Sequence, residues 1–446
     1  MPRPRKPRLG ERGMPRPYNF KAPEGLPGNT TSSTHEMTQG AWRKMRLADV
    51  LARPEIRAGL AHSLEAGPLC DHCLGRLVAG ADTGLANDQR GRAVREALAA
   101  PAPQAACGMC GGLFEAIGEW ADRAAEALRG WEFASVGIAT RPDPQVARRE
   151  EALWQALGSA SAEAAGPWAA GDLVEPYRQE FGRLLGLRLA DLLGCEAAPK
   201  DPDVWLFADL AAGSVAVRVE PLFVCGRYRK LVRGISQCRW AAAPTSVQDI
   251  VGDPVCRAAE GKDHRFHGCG REDVDVRCLG ERPFALQVLR PRRRRLDWAA
   301  LADEINRSGR VEVLGLAPCR RPMVADLKEL RPEKTYRALV RLASDVDDAT
   351  LARLAGLVGP VQQRTPLRVL KRRPDLVRDR RIVSLQWRRV DGRTIKVEVR
   401  TQAGLYIKEW VSGDSGRTHP SIAEALGVAA ECAELDVTAV HVAQAR

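Results

Sequence analysis

The chain has 446 residues, and its 68 lysines and arginines against 56 acidic residues leave a formal net charge of +12. This length predicts two to four domains with cores of their own. No run of about eighteen apolar residues is present to span a membrane, and the N-terminus lacks the apolar core of a secretion signal, so we expect a cytoplasmic protein. The basic balance predicts a polyanion, nucleic acid above all, as the partner.

Residues 1–40 are rich in Pro, Arg, Gly, Ser and Thr and show no apolar periodicity. This composition predicts a disordered basic leader. The leader would serve either as a solvated tail or as a salt-sensitive contact with phosphates. The composition does not decide between these two roles.

Residues 41–130 are the next expected unit, a compact accessory module with two Cys-x-x-Cys pairs. Four thiolates are the set that a tetrahedral structural zinc ion requires, and such pairs in a reduced compartment usually hold metal. We favour structural zinc over paired free thiols, with a helix at 88–99 filling the long gap between the pairs. The expected ligands are Cys70, Cys73, Cys107 and Cys110.

Residues 131–245 are predicted to mix α and β structure. Apolar residues recur at helical spacing from Phe181 to Leu193, and this helix is expected to end near Gly194. Residues 203–209 and 214–225 indicate two strands joined by a tight turn, so helix and hairpin together suit a small RNA-binding fold.

The stretch 226–240 that follows is dense in guanidinium groups. It is either a solvated linker or, as we favour, an RNA contact, because arginine binds phosphates through a rigid planar fork. The expected RNA-binding residues are Arg227, Arg229, Lys230 and Arg233.

Residues 246–446 show long strand signals, helices and basic runs. Asp297 is placed to cap a helix through Asn306, and an Asp-Gly pair at 391–392 is a strong hairpin signal between strands at 382–389 and 394–400. The arginine run before the helix is expected to bind an RNA backbone through Arg292 and Arg293.

Within this region, residues 270–277 read Gly-Arg-Glu-Asp-Val-Asp-Val-Arg. In an extended chain the alternation places Asp273 and Asp275 on one face and the two valines on the other. Taken alone, the segment is best explained as an edge strand that charge protects from aggregation. A reactive carboxylate beside a buried strand is the alternative.

The same segment, continued by Cys278-Leu279-Gly280 and Arg282-Pro283-Phe284, resembles the catalytic segment of the archaeal and eukaryotic tRNA pseudouridine-54/55 synthases. Further stretches agree with this family in order and cover most of the chain after residue 40. They are residues 69–76 with the second cysteine pair, 226–240, 333–336, and 404–409 continuing to 413–418. The resemblance implies that Asp273 is catalytic rather than part of a charged edge.

The resemblance also implies a multidomain α+β enzyme. A mixed-sheet pseudouridine synthase domain at 246–446 would follow a THUMP-like, zinc-containing accessory region. The substrate would be uridine in the TΨC arm of tRNA, at position 54, 55 or both, flipped out of the RNA stack. The zinc would be structural, and neither an organic cofactor nor an obligate protein partner is expected.

The family pattern carries roles over by position. Asp273, the fourth residue of the Gly-Arg-x-Asp motif, would be the nucleophile, and Lys408 would pair with it. Tyr336 would stack against the target base and assist proton chemistry. Tyr406 would also bind the substrate, and Leu435 would close the pocket.

Leu405 is one departure from the family, which usually has Thr there, so a hydroxyl contact at this point is in doubt. Two other classes of function remain open. One is a non-catalytic tRNA-binding or folding factor on the same scaffold. The other is a different THUMP-bearing modifier, which would need a Gly-rich nucleotide-binding loop after a strand, and the sequence has none.

Overall fold

A computed structural model describes residues 45–159, 168, 173–240 and 244–442. The expected leader at 1–40 lies outside the described residues. The described chain is an α+β protein whose strands form one sheet of four and one of ten, which confirms the predicted fold class. None of the described helices is long and apolar enough to cross a lipid bilayer.

The first part of the described chain packs helices on the small sheet. Its helices are Leu47–Leu51, Pro54–Glu65, Asp71–Arg76, Asn87–Leu98, Ile117–Leu128, Pro144–Ser159 and Tyr177–Leu193. Its strands are β1 (Ser135–Arg141), β2 (Glu196–Ala197), β3 (Val204–Asp209) and β4 (Ser214–Val219). They lie in the order β2-β1-β3-β4, and all neighbours are parallel except the β3–β4 hairpin.

One apolar core serves this whole part of the molecule. It takes side chains from residue 47 to residue 208 and includes the four cysteines of the two pairs. This core joins the stretch expected at 41–130 to residues 136–208 of the stretch expected at 131–245, and the predicted domain bounds stay a prediction.

The large sheet carries the second part of the chain. Its strands are β5 (Leu222–Lys230), β6 (Asp263–Gly268), β7 (Arg277–Leu289), β8 (Val311–Pro318), β9 (Glu333–Leu342), β10 (Gly359–Arg364), β11 (Val377–Asp391), β12 (Thr394–Thr401), β13 (Thr418–His419) and β14 (Ala430–His441). The order is β13-β10-β11-β12-β9-β14-β7-β5-β8, with β6 also paired to β7. The α-helices of this part are Val247–Ala258, Trp298–Asn306, Met323–Glu329, Asp348–Leu351, Ile407–Ser412 and Ile422–Leu426.

The strand predicted at 214–225 is two strands in two sheets. β4 closes the small sheet, and β5 pairs with β7 and β8 of the large one. Pro221 lies between them, and proline lacks the N–H that a continuous ladder needs. The change of sheet therefore falls ahead of the domain boundary expected after residue 245.

Strand β7 joins the two halves of the large sheet. Its first residues, Arg277 and Cys278, pair in parallel with Asp436 and Val437 of β14, and its later residues pair with β5 and β6. Two apolar cores lie on the two halves, one from residues 222–316 and one from 276–437. The loop 269–276 before β7 therefore emerges where segments from both halves meet.

Several local predictions are confirmed. Tyr177–Leu193 is a helix that buries Phe181, Leu185 and Leu189 and ends at Gly194 with a φ of 63°, as expected of a glycine C-cap. Leu192 and Leu193, at the end of the predicted stripe, are exposed. Asp297 accepts the N–H of Ala300 at 2.9 Å and begins the helix Trp298–Asn306. Strands β11 and β12 form the predicted hairpin, and the predicted helix between the cysteine pairs spans Asn87–Leu98.

Candidate functional site

Asp273 and Asp275 lie in a turn, not in the extended strand that their alternation with valines predicts. The N–H of Val276 donates to the carbonyl of Asp273 at 3.1 Å, and β7 begins only after it. Gly270 has a φ of 79°, which side-chain-bearing residues rarely adopt, and a Cβ there would lie 3.0 Å from the guanidinium of Arg282. The edge-strand explanation is therefore wrong for this segment.

The buried ammonium of Lys230 fixes the backbone of this turn. Its Nζ donates to the carbonyl oxygens of Ile235 and Asp273 at 2.9 Å and of Val274 at 3.2 Å. Lys230 is 0% exposed. This burial lowers the pKa of Lys230, and the charge of Glu272 acts in the opposite direction and raises it. The prediction that Lys230 binds an RNA phosphate is wrong, because its ammonium is enclosed by the protein.

Glu272, directly before Asp273, belongs to a buried polar network. Its carboxylate accepts the hydroxyl of Tyr228 at 3.0 Å and the side-chain amide of Gln237 at 3.3 Å, and it lies 3.3 Å from Nε of Arg282. A buried carboxylate is stable only when it is paired and hydrogen-bonded. The network therefore anchors the chain at the residue next to the predicted nucleophile.

Asp273 and Asp275 each have a cation of their own. Asp273 Oδ2 lies 3.0 Å from Nη2 of Arg368 and 3.8 Å from Nζ of Lys408. The two oxygens of Asp275 lie 2.8 and 2.6 Å from the same Nζ. Burial alone would raise the pKa of Asp275, but the hydrogen bond and charge of Lys408 outweigh it and lower that pKa. Lys408 thus reaches the predicted nucleophile, but its shorter ion pair is with Asp275.

Sequence reasoning missed Arg368, the closest cation to Asp273. Arg368 lies in a short 3-10 helix, Leu367–Val369. Its Nε is 2.5 Å from Glu409 Oε1, and its guanidinium carbon is 5.8 Å from the centre of the Tyr406 ring. The available signal was the density of basic residues from 364 to 373, which does not tell which of them faces an acid.

Tyr336 lies on β9 between Val399 of β12 and Val437 of β14. Val437 also pairs with Cys278 at the start of β7. Tyr336, Val437 and Cys278 therefore lie side by side on three neighbouring strands, and Cys278 comes directly after the segment that contains the turn. Burial raises the pKa of Tyr336 to about 12, with the charge of Arg282 opposing the shift. The phenol therefore stays protonated at neutral pH. Among the described residues no hydrogen bond joins Tyr336 to either acid.

Tyr406 directly precedes the helix Ile407–Ser412, which carries Lys408 in its first turn. The side-chain amide of Gln363 donates to the Tyr406 carbonyl at 3.0 Å and accepts the Tyr406 N–H at 2.8 Å. This two-point contact fixes the start of the helix. The Tyr406 main chain is therefore fixed by Gln363, and Lys408 is held to the turn by its own ion pair with Asp275.

Leu405 and Leu435 both contribute to the apolar core of residues 276–437. They are only 5% and 6% exposed. Leucine in place of the family's threonine therefore adds an apolar contact at position 405. The role of Leu435 in closing the pocket stays a prediction.

The guanidinium of Arg233 forms hydrogen bonds within the protein. Its guanidinium donates to the carbonyl oxygens of Asp275 at 2.9 Å and Leu435 at 2.6 Å, and it pairs with Asp436 at 2.7 Å. These bonds connect the turn to β14. Both terminal nitrogens of Arg233 thus have protein acceptors, and RNA binding by Arg233 stays a prediction.

The other predicted RNA-binding arginines differ in exposure. Arg229 is half-buried between Glu281 at 2.8 Å and Glu312 at 2.9 Å. The remaining three are exposed, and their role stays a prediction. They are Arg227, Arg292 and Arg293.

The four predicted metal ligands lie together in the N-terminal core. All are buried, and their Sγ atoms lie within 4.8 Å of one another, with Cys70 and Cys110 at 3.7 Å. A tetrahedral ion with metal–sulfur bonds of about 2.3 Å separates its sulfurs by roughly 3.8 Å. The main-chain N–H groups of Cys73 and Cys110 lie 3.5 Å from Sγ of Cys70 and Cys107. The cluster can therefore hold a metal ion.

Comparison with known proteins matches both parts of the chain. The family model for the archaeal Pus10 THUMP domain matches residues 120–209, and the model for the Pus10 C-terminal region matches residues 223–441. The tRNA pseudouridine synthase Pus10 of Halorubrum lacusprofundi is 40% identical over 416 residues, which are 85% of this chain and 95% of that protein. The protein of the same name from Methanothrix thermoacetophila is 38% identical over 427 residues, 84% of this chain and 92% of that protein.

Solved structures are more distant. A chain of a Cbf5-Nop10-Gar1 complex matches 48% of this chain and 48% of its own length, at 19% identity and a TM-score of 0.30. This likeness is too low to bear on the assignment.

The two matched models define the class, a protein in which an archaeal-type THUMP domain precedes a Pus10 C-terminal region. At 40% and 38% identity to full-length relatives, the chain belongs to the Pus10 family. The family resemblance of the sequence motifs is thereby confirmed.

Proposed function

We propose that this protein is a tRNA pseudouridine synthase that isomerises uridine in the TΨC arm, at position 54, 55 or both. The observation that carries the proposal is Asp273, a carboxylate on a rigidly held turn with cations at 3.0 and 3.8 Å. Relatives that match almost their whole length carry this enzyme name, which favours an enzyme over a non-catalytic binding factor.

Isomerisation of uridine requires an ionised carboxylate. Uracil must leave C1′ of the ribose, rotate and rejoin through C5, so Asp273 would attack or stabilise the sugar or abstract its proton. The product is an isomer of the substrate, so no water or second substrate is consumed. Nearby cations favour the charged form of a carboxylate, and the turn presents it in one fixed position.

Tyr336 would stack on the flipped uridine and compensate for the stacking that the base loses. Its high pKa suits a hydroxyl that donates a hydrogen bond and does not act as a base. Tyr406 and Lys408, fixed at the start of one helix, would contact the same nucleotide.

The four-cysteine cluster would hold structural zinc, because four thiolates leave no open position for catalysis. The exposed Arg227, Arg292 and Arg293 would bind the phosphates of the tRNA. A cytoplasmic location fits a tRNA substrate. The chemistry requires no organic cofactor and no partner subunit.

The test is incubation of the purified protein with an unmodified tRNA transcript, followed by mapping of pseudouridine. The wild-type protein should give product at 54 or 55, and Asp273→Asn should bind tRNA but give none. Asp275→Asn is the matched control, because it removes the neighbouring acid, and it should retain turnover at a reduced rate.

A wild-type protein that binds tRNA without forming pseudouridine would support the non-catalytic factor instead. Full turnover by Asp273→Asn together with loss in Asp275→Asn would show that the wrong acid is assigned.

A further inference from the structure

Arg368 bridges two carboxylates beside the turn. One side of its guanidinium, Nη2, is 3.0 Å from Asp273 Oδ2, and Nε is 2.5 Å from Glu409 Oε1. The planar fork of arginine offers donors in two directions at fixed angles. A lysine has one point charge and cannot hold both acids in this geometry.

Glu409 is built into the protein rather than exposed to RNA. Its side chain is 7% exposed, and its Oε2 has no hydrogen-bond partner among the described residues. An ionised carboxylate in such a place needs a cation, and Arg368 is the one in contact with it. Glu409 therefore determines where the Arg368 side chain lies.

Lys408, the neighbour of Glu409 in the chain, is directed elsewhere. Its Nζ is 2.6 Å from Asp275 and 3.8 Å from Asp273. The helix Ile407–Ser412 thus presents two adjacent charges to the turn. Lys408 binds Asp275 directly, and Glu409 positions Asp273 through Arg368.

We propose that Arg368 and Glu409 are a positioning pair that orients the Asp273 carboxylate toward the target uridine. Arg368 binds one carboxylate oxygen and leaves the other for the substrate, while Asp275 keeps Lys408 in place. This inference rests on the proposed pseudouridine synthase activity and adds two residues to it.

Arg368→Gln and Glu409→Gln should each lower kcat by about 10- to 100-fold, as expected when a reacting group loses its orientation. The Kd for tRNA should change by less than about threefold, because the lost contacts are within the protein. Arg368→Lys should recover only part of kcat, since it keeps the charge but not the fork.

Normalising kcat to the amount of folded protein provides a second readout. A residue that only supports the fold would lower the amount of active protein without lowering the single-turnover rate of the folded fraction. Loss of the Arg368 fork should instead lower that rate. Arg368→Gln leaves the buried Glu409 carboxylate without its cation, so its melting temperature should fall as well.

Arg373→Gln is the matched control, because Arg373 is an exposed arginine on the same segment. It should weaken tRNA binding slightly and leave single-turnover kcat unchanged. The inference is overturned if Arg368→Gln behaves like Arg373→Gln, with weaker binding and normal kcat. A wild-type protein without activity would instead refute the proposed function.

Discussion

Lys230 offers the sharpest contrast between a residue that binds RNA and one that builds the site. Its ammonium is fully buried and donates three hydrogen bonds, to the carbonyl oxygens of Ile235, Asp273 and Val274 at 2.9, 2.9 and 3.2 Å. Lys230→Met keeps most of the side-chain volume and removes the charge and all three donors. The turn that carries Asp273 then loses its internal support.

The size of the effect follows from two opposing contributions. Each buried carbonyl that loses its partner costs about 1 to 3 kcal/mol, and relief from burying the ammonium returns several kcal/mol. We expect a net loss of about 2 kcal/mol in the free energy of unfolding, a common size for a core substitution. A loss of this size lowers the melting temperature by a few degrees.

The assay combines thermal unfolding, single-turnover pseudouridine formation and tRNA binding at several salt concentrations. Lys230→Met should lower the melting temperature and kcat but leave the slope of log Kobs against log[salt] unchanged. Arg227→Gln is the control, because Arg227 is exposed on the same strand, and it should reduce that slope by about 1 as a lost phosphate contact does. The reasoning is refuted if Lys230→Met retains its melting temperature and kcat while the salt slope falls.

Two further outcomes follow from buried groups. Leu405→Thr places a hydroxyl in the apolar core, so we expect a loss of about 1 to 2 kcal/mol in the free energy of unfolding. Urea denaturation measures this loss, and an unchanged or higher urea midpoint would contradict the packing of Leu405. Cys73→Ser should abolish the bound zinc measured by metal analysis and lower the melting temperature, whereas Cys195→Ser, outside the cluster, should do neither. Freshly purified wild-type protein without metal would contradict the zinc proposal.

Patterns within a short stretch of chain predicted much of the molecule. The helix Tyr177–Leu193 and the β11–β12 hairpin follow from apolar spacing and turn residues, since these features depend on neighbours in sequence. The four cysteines could be selected by spacing alone, because the short turn within each Cys-x-x-Cys pair already brings its two thiolates together. The motif residues, including Asp273, could be named from order along the chain.

The placement of charged side chains was decided only by the tertiary structure. Lys230 and Arg233 belong to a stretch that resembles an RNA contact in composition, yet they bond to the turn around Asp273, because β5 folds into the large sheet beside β7. Burial of a charge depends on which distant acceptors surround it, and composition does not contain that information.

By itself, then, the sequence determined the family, the local elements and the identity of the candidate nucleophile. Which cation holds which acid was decided by the fold. Lys408 and Asp275 are 133 residues apart in the chain and meet at 2.6 Å, and Arg368 reaches Asp273 from a segment between β10 and β11. Ion pairs form between groups that the packing of strands brings within a few ångströms, so their partners could be known only once the two halves of the large sheet were in place.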